Sequence, residues 1–485
     1  MERITEVVAM YFRRVLLSHR WDDTELLFHD IQDKVVYEMN ALGGLMKLQS
    51  FCKIARHAGF FWAWMDTCCI DKNNNAELQE SINSMFAWYR HSALTIVYLG
   101  DVFSSSNAGA LARSAWNKRG WTLQEFVAPK IVVFYRNDWS LYLDDGFPNH
   151  KDSPAIIEEL EGATAIDARA LVSFRPGMRG VREKLQWAST RITTLQEDIA
   201  YSLFGIFSIH LPVIYGEKKQ NALGRLLQEI VARSGDITAL DWVGQSSEFN
   251  SCLPADITSY TAPPCALPSL SEDEIQTMVS SLRNTVTAEL AWKLYTLLDN
   301  ISAPRFANCR LHLPCIVFRV TEVRRRLGPV QETNFTYGVK VDGLHDLLIN
   351  TEETMIQFSR ARPTWQTVLL VRPWNRYLLE LPDFTGMSDF GDDTGSEDGY
   401  WSAPGSPIDE LPRGFPVEEE LVDVESHSRA LRLIVRLGQP FSALLLAQQR
   451  GGEYKRIASD HDIIAQVKDM ASVDNMMDVR TLEIL

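Results

Sequence analysis

No apolar run in the 485 residues approaches the roughly eighteen consecutive positions that a membrane-spanning helix needs, so no membrane span is expected. Met1–Arg14 carries basic side chains but no apolar stretch followed by a small-residue cleavage site, which excludes a signal peptide on this reading. Cysteine is sparse: Cys52, Cys68, Cys69, Cys252, Cys265, Cys309 and Cys315 are odd in number and form no CxxC pair. That pattern excludes a disulfide framework and a zinc ribbon, and it predicts a reducing, cytoplasmic compartment and no metal. The GxxxxGK[ST] loop, a GxGxxG after the first strand, HExxH and GxSxG are all missing, which removes the main support for an ATPase, a dehydrogenase, a zincin or an α/β-hydrolase. Basic surplus is missing too. The formal charge is -15, which speaks against a nucleic-acid partner. Thirteen Asp/Glu and one Arg within Asp383–Glu425 account for -12 of that, so the rest of the chain is nearly neutral.

What is present is a globular composition, 46% hydrophobic, 23% charged and 10% aromatic, in a length that accommodates roughly two to four domains. From Val15 to Tyr135 short β-rich runs alternate with helix-period segments, which predicts an α/β unit with a parallel sheet. Strands are expected at Val15–Ser18, Phe61–Asp66, Leu94–Gly100 and Lys130–Tyr135. Leu48, Phe51, Cys52 and Ala55 recur at helical spacing, as do Leu78, Ile82, Met85, Phe86 and Tyr89. A third helix is expected from about Ala115 to Val127, because Pro129 closes it. With right-handed crossovers such a run makes an open, doubly wound sheet, whose ligands bind outside the carboxyl ends of the strands. That rule selects Ser18–Asp23, Asp66–Asp71 and Gly100–Asp101 as the rim.

Beyond this unit, taken as residues 11–135, the sequence becomes helical over 136–245 and continues as a helical connector over 246–304. One helix is expected there from Ser271 to Leu298, opened by a Ser271/Glu274 capping box. Residues 305–485 read as a mostly antiparallel β domain, with runs at Cys309–Val320, Phe335–Val341, Thr367–Arg372, Tyr377–Leu381, Ala430–Leu437 and Ser442–Leu446. The acidic, Gly/Ser/Pro-rich stretch Gly386–Pro416 is expected to interrupt it as a disordered insertion.

Three rim segments concentrate chemistry. Ser18-His19-Arg20-Trp21-Asp22-Asp23 offers a hydroxyl for a sugar, a guanidinium for phosphate or carboxylate and an indole for a base; the alternative is a loop in which the two Asp cap the next segment. Asp66, ending the second strand, is the best-placed acid of its segment, unless it serves backbone N–H groups of a neighbouring turn. In the third segment Trp121 and Glu125 stand at i and i+4, so the indole could wall off the carboxylate and raise its pKa. Beside Lys118 and Arg119, such a carboxylate could stabilise an oxocarbenium-like transition state while the cations hold a diphosphate; the alternative is a Glu paired for stability.

Three stretches in order, Leu16–Trp21 (LLSHRW), Trp64–Tyr89 and Arg119–Pro129 (RGWTLQEFVAP), resemble the fungal heterokaryon-incompatibility (HET) domain. Trp187–Glu217 is similar to the segment that often comes after it. HET domains in turn resemble the TIR fold: Leu16–Glu25 looks like the first-strand motif of plant TIR domains, and Trp121–Glu125 like the stretch carrying the catalytic acid of NAD-cleaving TIRs. The resemblance implies a TIR/flavodoxin-like open parallel sheet with Glu125 as the catalytic acid. Ser18, His19, Arg20, Trp21, Asp66, Arg119 and Trp121 are expected around the nucleotide. It also implies an effector of incompatibility and cell death that cleaves NAD(P) as substrate, holds no permanent cofactor and self-associates through its HET domain. The other reading is a non-enzymatic module that assembles by that domain while the C-terminal half senses a protein partner or an allelic non-self factor.

Overall fold

The computed structural model describes residues 8, 10–40, 43–265, 270–326, 335–352, 355, 367–380 and 418–485, which cluster into two compact units. One comprises Met1–Pro264 with Arg305–Leu311 and Leu485; the other comprises Cys265–Pro304 and His312–Ile484.

The four expected strands of the first unit all form, as β1 (Arg14–His19), β2 (Trp62–Trp64), β3 (Leu94–Tyr98) and β4 (Val132–Tyr135). They pair in parallel in the order β2-β1-β3-β4, so the winding direction reverses at β1. β1 is buried over Val15–His19 because it is central and covered on both sides. Helix α1 (Gly44–His57) puts Leu48, Phe51 and Ala55 against Val15, Leu17 and Ile96. On the opposite face lie α2 (Asn75–Arg90), whose Asn74 side chain caps it, and α3 (Thr122–Val127). There Trp116, Phe126 and Phe134 form an aromatic cluster with ring centroids 5.6–6.2 Å apart. The third helix differs from expectation. It is broken at Arg119-Gly120 into a 3₁₀ turn, Ala115–Lys118, and α3, because the backbone there turns outward to pair with Ile192: Gly120 N–H donates to its carbonyl at 2.9 Å.

That pairing joins the sheet unit to the helical stretch beyond it, which includes α4 (Pro154–Thr164), α5 (Val181–Ser189), the one-turn helices Asp198–Tyr201 and Phe204–Phe207, and α6 (Lys219–Ser234). Gly205 sits so close to α2 that a Cβ there would lie 2.0 Å from Cβ of Phe86. Gly205→Ala is therefore expected to force the two helices apart and to destabilise this unit by about 1–3 kcal/mol, read as a lower denaturation midpoint in urea.

In the second unit the predicted single helix is two, α7 (Glu272–Leu282) and α8 (Ala288–Asn300), separated where Thr287 caps the second. The Ser271/Glu274 capping box opens the first as expected. The strands β5 (Arg310–Arg326), β6 (Phe335–Val341), β7 (Leu347–Thr351) and β8 (Val368–Pro373) are followed by helix α9 (Glu418–Leu437), then β9 (Leu444–Gln448), β10 (Tyr454–Ile457) and β11 (Val479–Ile484). They run in the order β11-β10-β9-β8-β5-β6-β7, antiparallel except for β10 with β11. Two expected strands are corrected: Tyr377–Glu380 is a helical turn, and Ala430–Leu437 is the end of α9. Ala430, Leu431, Leu433, Ile434, Val435 and Leu437 are all buried while Arg429, Arg432 and Arg436 form the polar face, but within this eight-residue window Leu431, Leu433, Val435 and Leu437 also alternate with Arg432 and Arg436 as a strand would. Gly386–Pro416 lies outside the described residues.

Candidate functional site

The alternation of β1 sends its last two side chains to opposite faces of the sheet. Ser18, paired with Val97, faces α3; its Oγ accepts from Trp116 Nε1 at 2.9 Å and donates to Glu125 Oε2 at 2.5 Å. Trp116 is placed by the 3₁₀ turn, which Ser114 caps and which Asp101 anchors by accepting from Ser114 Oγ and from Ala115 N–H, both at 2.7 Å. Glu125 is 6% exposed, and among the described residues no cation lies within ion-pair distance of it. Burial pushes its pKa up to about 7, with the Asp66 charge adding to the effect against Ser18, Arg119 and His19.

His19 faces the α1 side. Its Nε2 lies 3.0 Å from Asp66 Oδ1, and its Nδ1 lies 3.3 Å from Lys47 Nζ and 3.4 Å from Glu25 Oε1. Burial lowers the imidazole pKa, but the bonds to Asp66 and Glu25 outweigh that and leave it raised. The second Asp66 oxygen accepts from Trp21 Nε1 at 2.9 Å. Burial raises the Asp66 pKa, but the bond and charge of His19, the Lys72 charge and the Trp21 bond together outweigh it and leave it lowered. Asp66 thus aligns His19 and Trp21 through side chains, not through backbone N–H groups.

Next to this buried layer opens a cavity of about 730 Å³. Arg20, Lys72, Lys118 and Arg119 bring four cations to it, and Trp21 and Trp121 two indoles. The Lys72 ammonium lies 3.6 Å and the Arg119 guanidinium 5.4 Å from the Trp21 ring centroid, so this indole gathers the charge instead of offering both faces to a base. The far wall comes from the helical stretch, with Ile192, Leu195, Asp198 and Tyr215. Trp121 Nε1 donates to Asp198 Oδ2 at 3.1 Å; the indole that reaches the Ser18–Glu125 pair is Trp116. Burial pushes the Asp198 pKa up to about 6, against the Trp121 and Tyr215 bonds.

Of the residues named from sequence, Arg20, Trp21, Arg119 and Trp121 line the cavity; Ser18 with Glu125 and His19 with Asp66 are two buried pairs on opposite faces of the sheet that do not line it, and the Asp66–Trp21 bond ties the second pair to its wall. Sequence reasoning gave no role to Lys47, Glu25, Lys72, Asp198 or Tyr215. Lys47 had one available signal: it is a charge within the stripe-bearing part of α1, flanked by Leu45 and Leu48. Among the described residues no group of three or more His, Cys, Asp or Glu side chains is placed to hold a metal ion. Nor is any helix among them long and apolar enough to cross a membrane.

Residues 15–109 match the family described as Heterokaryon incompatibility protein (HET). Over 236 residues the chain is 37% identical to the vegetative incompatibility protein HET-E-1 of Podospora anserina, a similarity covering 46% of this chain and 16% of that protein. No solved structure matches the chain.

Proposed function

From the heterokaryon incompatibility domain that this chain carries, we propose that the protein acts in vegetative incompatibility as a cell-death effector that cleaves NAD(P). The observation that carries the chemistry is Glu125: a buried carboxylate, hydrogen-bonded by Ser18, without a cation of its own, one helical turn from Trp121, which lines a cavity with four cations and a second indole. The order β2-β1-β3-β4 is that of the first four strands of a flavodoxin-like sheet, which supports a TIR-like reading, and Arg20 and Trp21, just past the carboxyl end of β1, line the cavity.

In the reaction, the cations Arg20, Lys72, Lys118 and Arg119 hold the diphosphate, and the Glu125 carboxylate stabilises positive charge at C1′. The C1′–N bond breaks and nicotinamide leaves with the electron pair, which neutralises its pyridinium. A water oxygen then bonds to C1′ and releases a proton, giving ADP-ribose. The four cations gather a 2′-phosphate as readily as a diphosphate, so the charge of the cavity alone does not separate NAD from NADP. A cytoplasmic location belongs to this reading.

One observation favours assembly, either as the activating step or as the whole function. Tyr11, Phe12, Phe61 and Trp62 are 48–64% exposed and stack on one another with ring centroids 5.2–6.5 Å apart, beside β2, the end strand of its sheet. The test is release of nicotinamide from NAD by the full-length protein across a range of protein concentrations. Release that rises more steeply than the protein concentration is expected. No release at any concentration, with oligomers present, leaves the non-enzymatic assembly function.

A further inference from the structure

The cavity contains a group that neither phosphate binding nor the Glu125 chemistry uses. Asp198 comes from the helical stretch, outside the residues 15–109 that match the family, and it is the carboxylate among the side chains lining the cavity. It is 8% exposed. Oδ2 is fixed by the Trp121 indole at 3.1 Å and the Tyr215 hydroxyl approaches the same carboxylate, while Oδ1 is buried with no hydrogen-bond partner within 3.5 Å. A buried carboxylate oxygen left unpaired is unfavourable, and an anion in a wall otherwise set with Arg20, Lys72, Lys118 and Arg119 weakens that wall as a plain phosphate site.

Both features are accounted for by a ligand that is itself anionic yet brings hydrogen-bond donors. The four cations disfavour a cationic ligand, which excludes an amine as the donor. An ionised carboxylate only accepts, and its two oxygens match two adjacent hydroxyls. Trp121 in the same cavity adds apolar surface suited to a base.

We infer that Asp198 is the acceptor by which this cavity holds the vicinal diol of a ribonucleotide. The site is then composite: the sheet unit supplies the cations, and the helical stretch beyond it supplies the sugar recognition. This deepens the NAD(P)-cleavage reading, whose site it shares, but it concerns binding and needs no turnover.

The experiment is equilibrium binding to the full chain, followed by tryptophan fluorescence, with ADP, 2′-deoxy-ADP and inorganic diphosphate as probes. The wild type is expected to bind ADP about tenfold more tightly than 2′-deoxy-ADP, the loss of about one charge-assisted hydrogen bond. It should also bind ADP more tightly than diphosphate. Asp198→Asn keeps an oxygen for the Trp121 indole, so it is expected to retain the fold, to bind ADP about tenfold more weakly and to lose the preference over 2′-deoxy-ADP. Diphosphate should bind it no more weakly than the wild type. The inference is overturned if Asp198→Asn still prefers ADP over the deoxy form, if wild-type ADP binding is no tighter than diphosphate binding, or if ADP does not bind. Should Asp198→Asn not fold, the wild-type comparison of ADP with 2′-deoxy-ADP decides alone. NAD left uncleaved by a protein that binds ADP in this way would count against the cleavage reading and not against this one.

Discussion

Glu125→Gln is expected to lower NAD(P) cleavage by roughly 10²–10³-fold while leaving the fold intact, the range found when one preorganised electrostatic contact to a transition state is removed. The glutamine carbonyl can still accept from Ser18 Oγ, now 2.5 Å from Oε2, so the local packing persists. What disappears is the negative charge. The effect should fall on kcat, because the charge matters only as C1′ becomes cationic, and KM should move little. An equal loss on replacing an exposed acid of the other unit, such as Glu289, would remove Glu125 from its assigned role.

The pH dependence gives an independent check. Burial holds the Glu125 pKa at about 7, above the ordinary value of 4.5 that the unfolded chain shows. Cleavage should therefore rise as pH is raised through about 7, as the carboxylate ionises. Stability should do the opposite: between about 4.5 and 7 the unfolded chain releases a proton that the folded protein keeps, so this group erodes stability as pH rises, by roughly 3 kcal/mol in all. Glu125→Gln removes that slope. Urea unfolding at pH 5 and pH 8 measures it, and parallel pH profiles for wild type and variant would contradict the assigned burial effect.

The four parallel strands were legible because each is a short β-rich run between helix-period segments, and Ser18, Arg20 and Trp21 could be named because a parallel sheet gathers strand ends at one edge, whereas Glu125 was named from its i, i+4 spacing to Trp121 and from the family resemblance. The partners were not legible. Trp116 meets Ser18, and Asp198 meets Trp121, across 98 and 77 residues, and no local period reports such encounters. The break at Arg119-Gly120 escaped for the same reason: its cause is Ile192, a residue in another segment. Ala430–Leu437 was misread as a strand because Arg432 and Arg436, four apart, fit the alternation of Leu431, Leu433, Val435 and Leu437 as well as they fit one face of a helix, and eight residues are too few to separate the two periods.

Lys47→Met is expected to destabilise the sheet unit by about 3–5 kcal/mol, the range for leaving one member of a buried ion pair behind. The Lys47 side chain is 5% exposed and that of its ion-pair partner Glu25 is 7% exposed, so neither charge can turn to water in place. Lys47 Nζ also bonds Asp22 at 2.9 Å and faces His19 Nδ1 at 3.3 Å, but Asp22 is half-exposed and can resolvate. The cost therefore falls on Glu25, whose Oε2 already lacks a partner. Burial raises the Glu25 pKa, but His19 and Lys47 outweigh it and hold it below the ordinary value. That lowered pKa stabilises the fold at pH above about 4.5 and ceases to do so as pH falls through the folded value. The deficit of Lys47→Met should consequently be largest near neutrality and shrink in acid. Adding Glu25→Gln should recover part of it, because an uncharged amide replaces the stranded carboxylate. The double-mutant cycle is expected to show a coupling of about 1–3 kcal/mol. Strict additivity would mean that the two charges are solvated independently and that the pair does not anchor the Arg20–Glu25 loop. Because that loop carries Arg20 and Trp21 into the cavity, and Lys47 Nζ reaches the Arg20 carbonyl at 3.5 Å, the single variant should also weaken ADP binding, although Lys47 does not line the cavity.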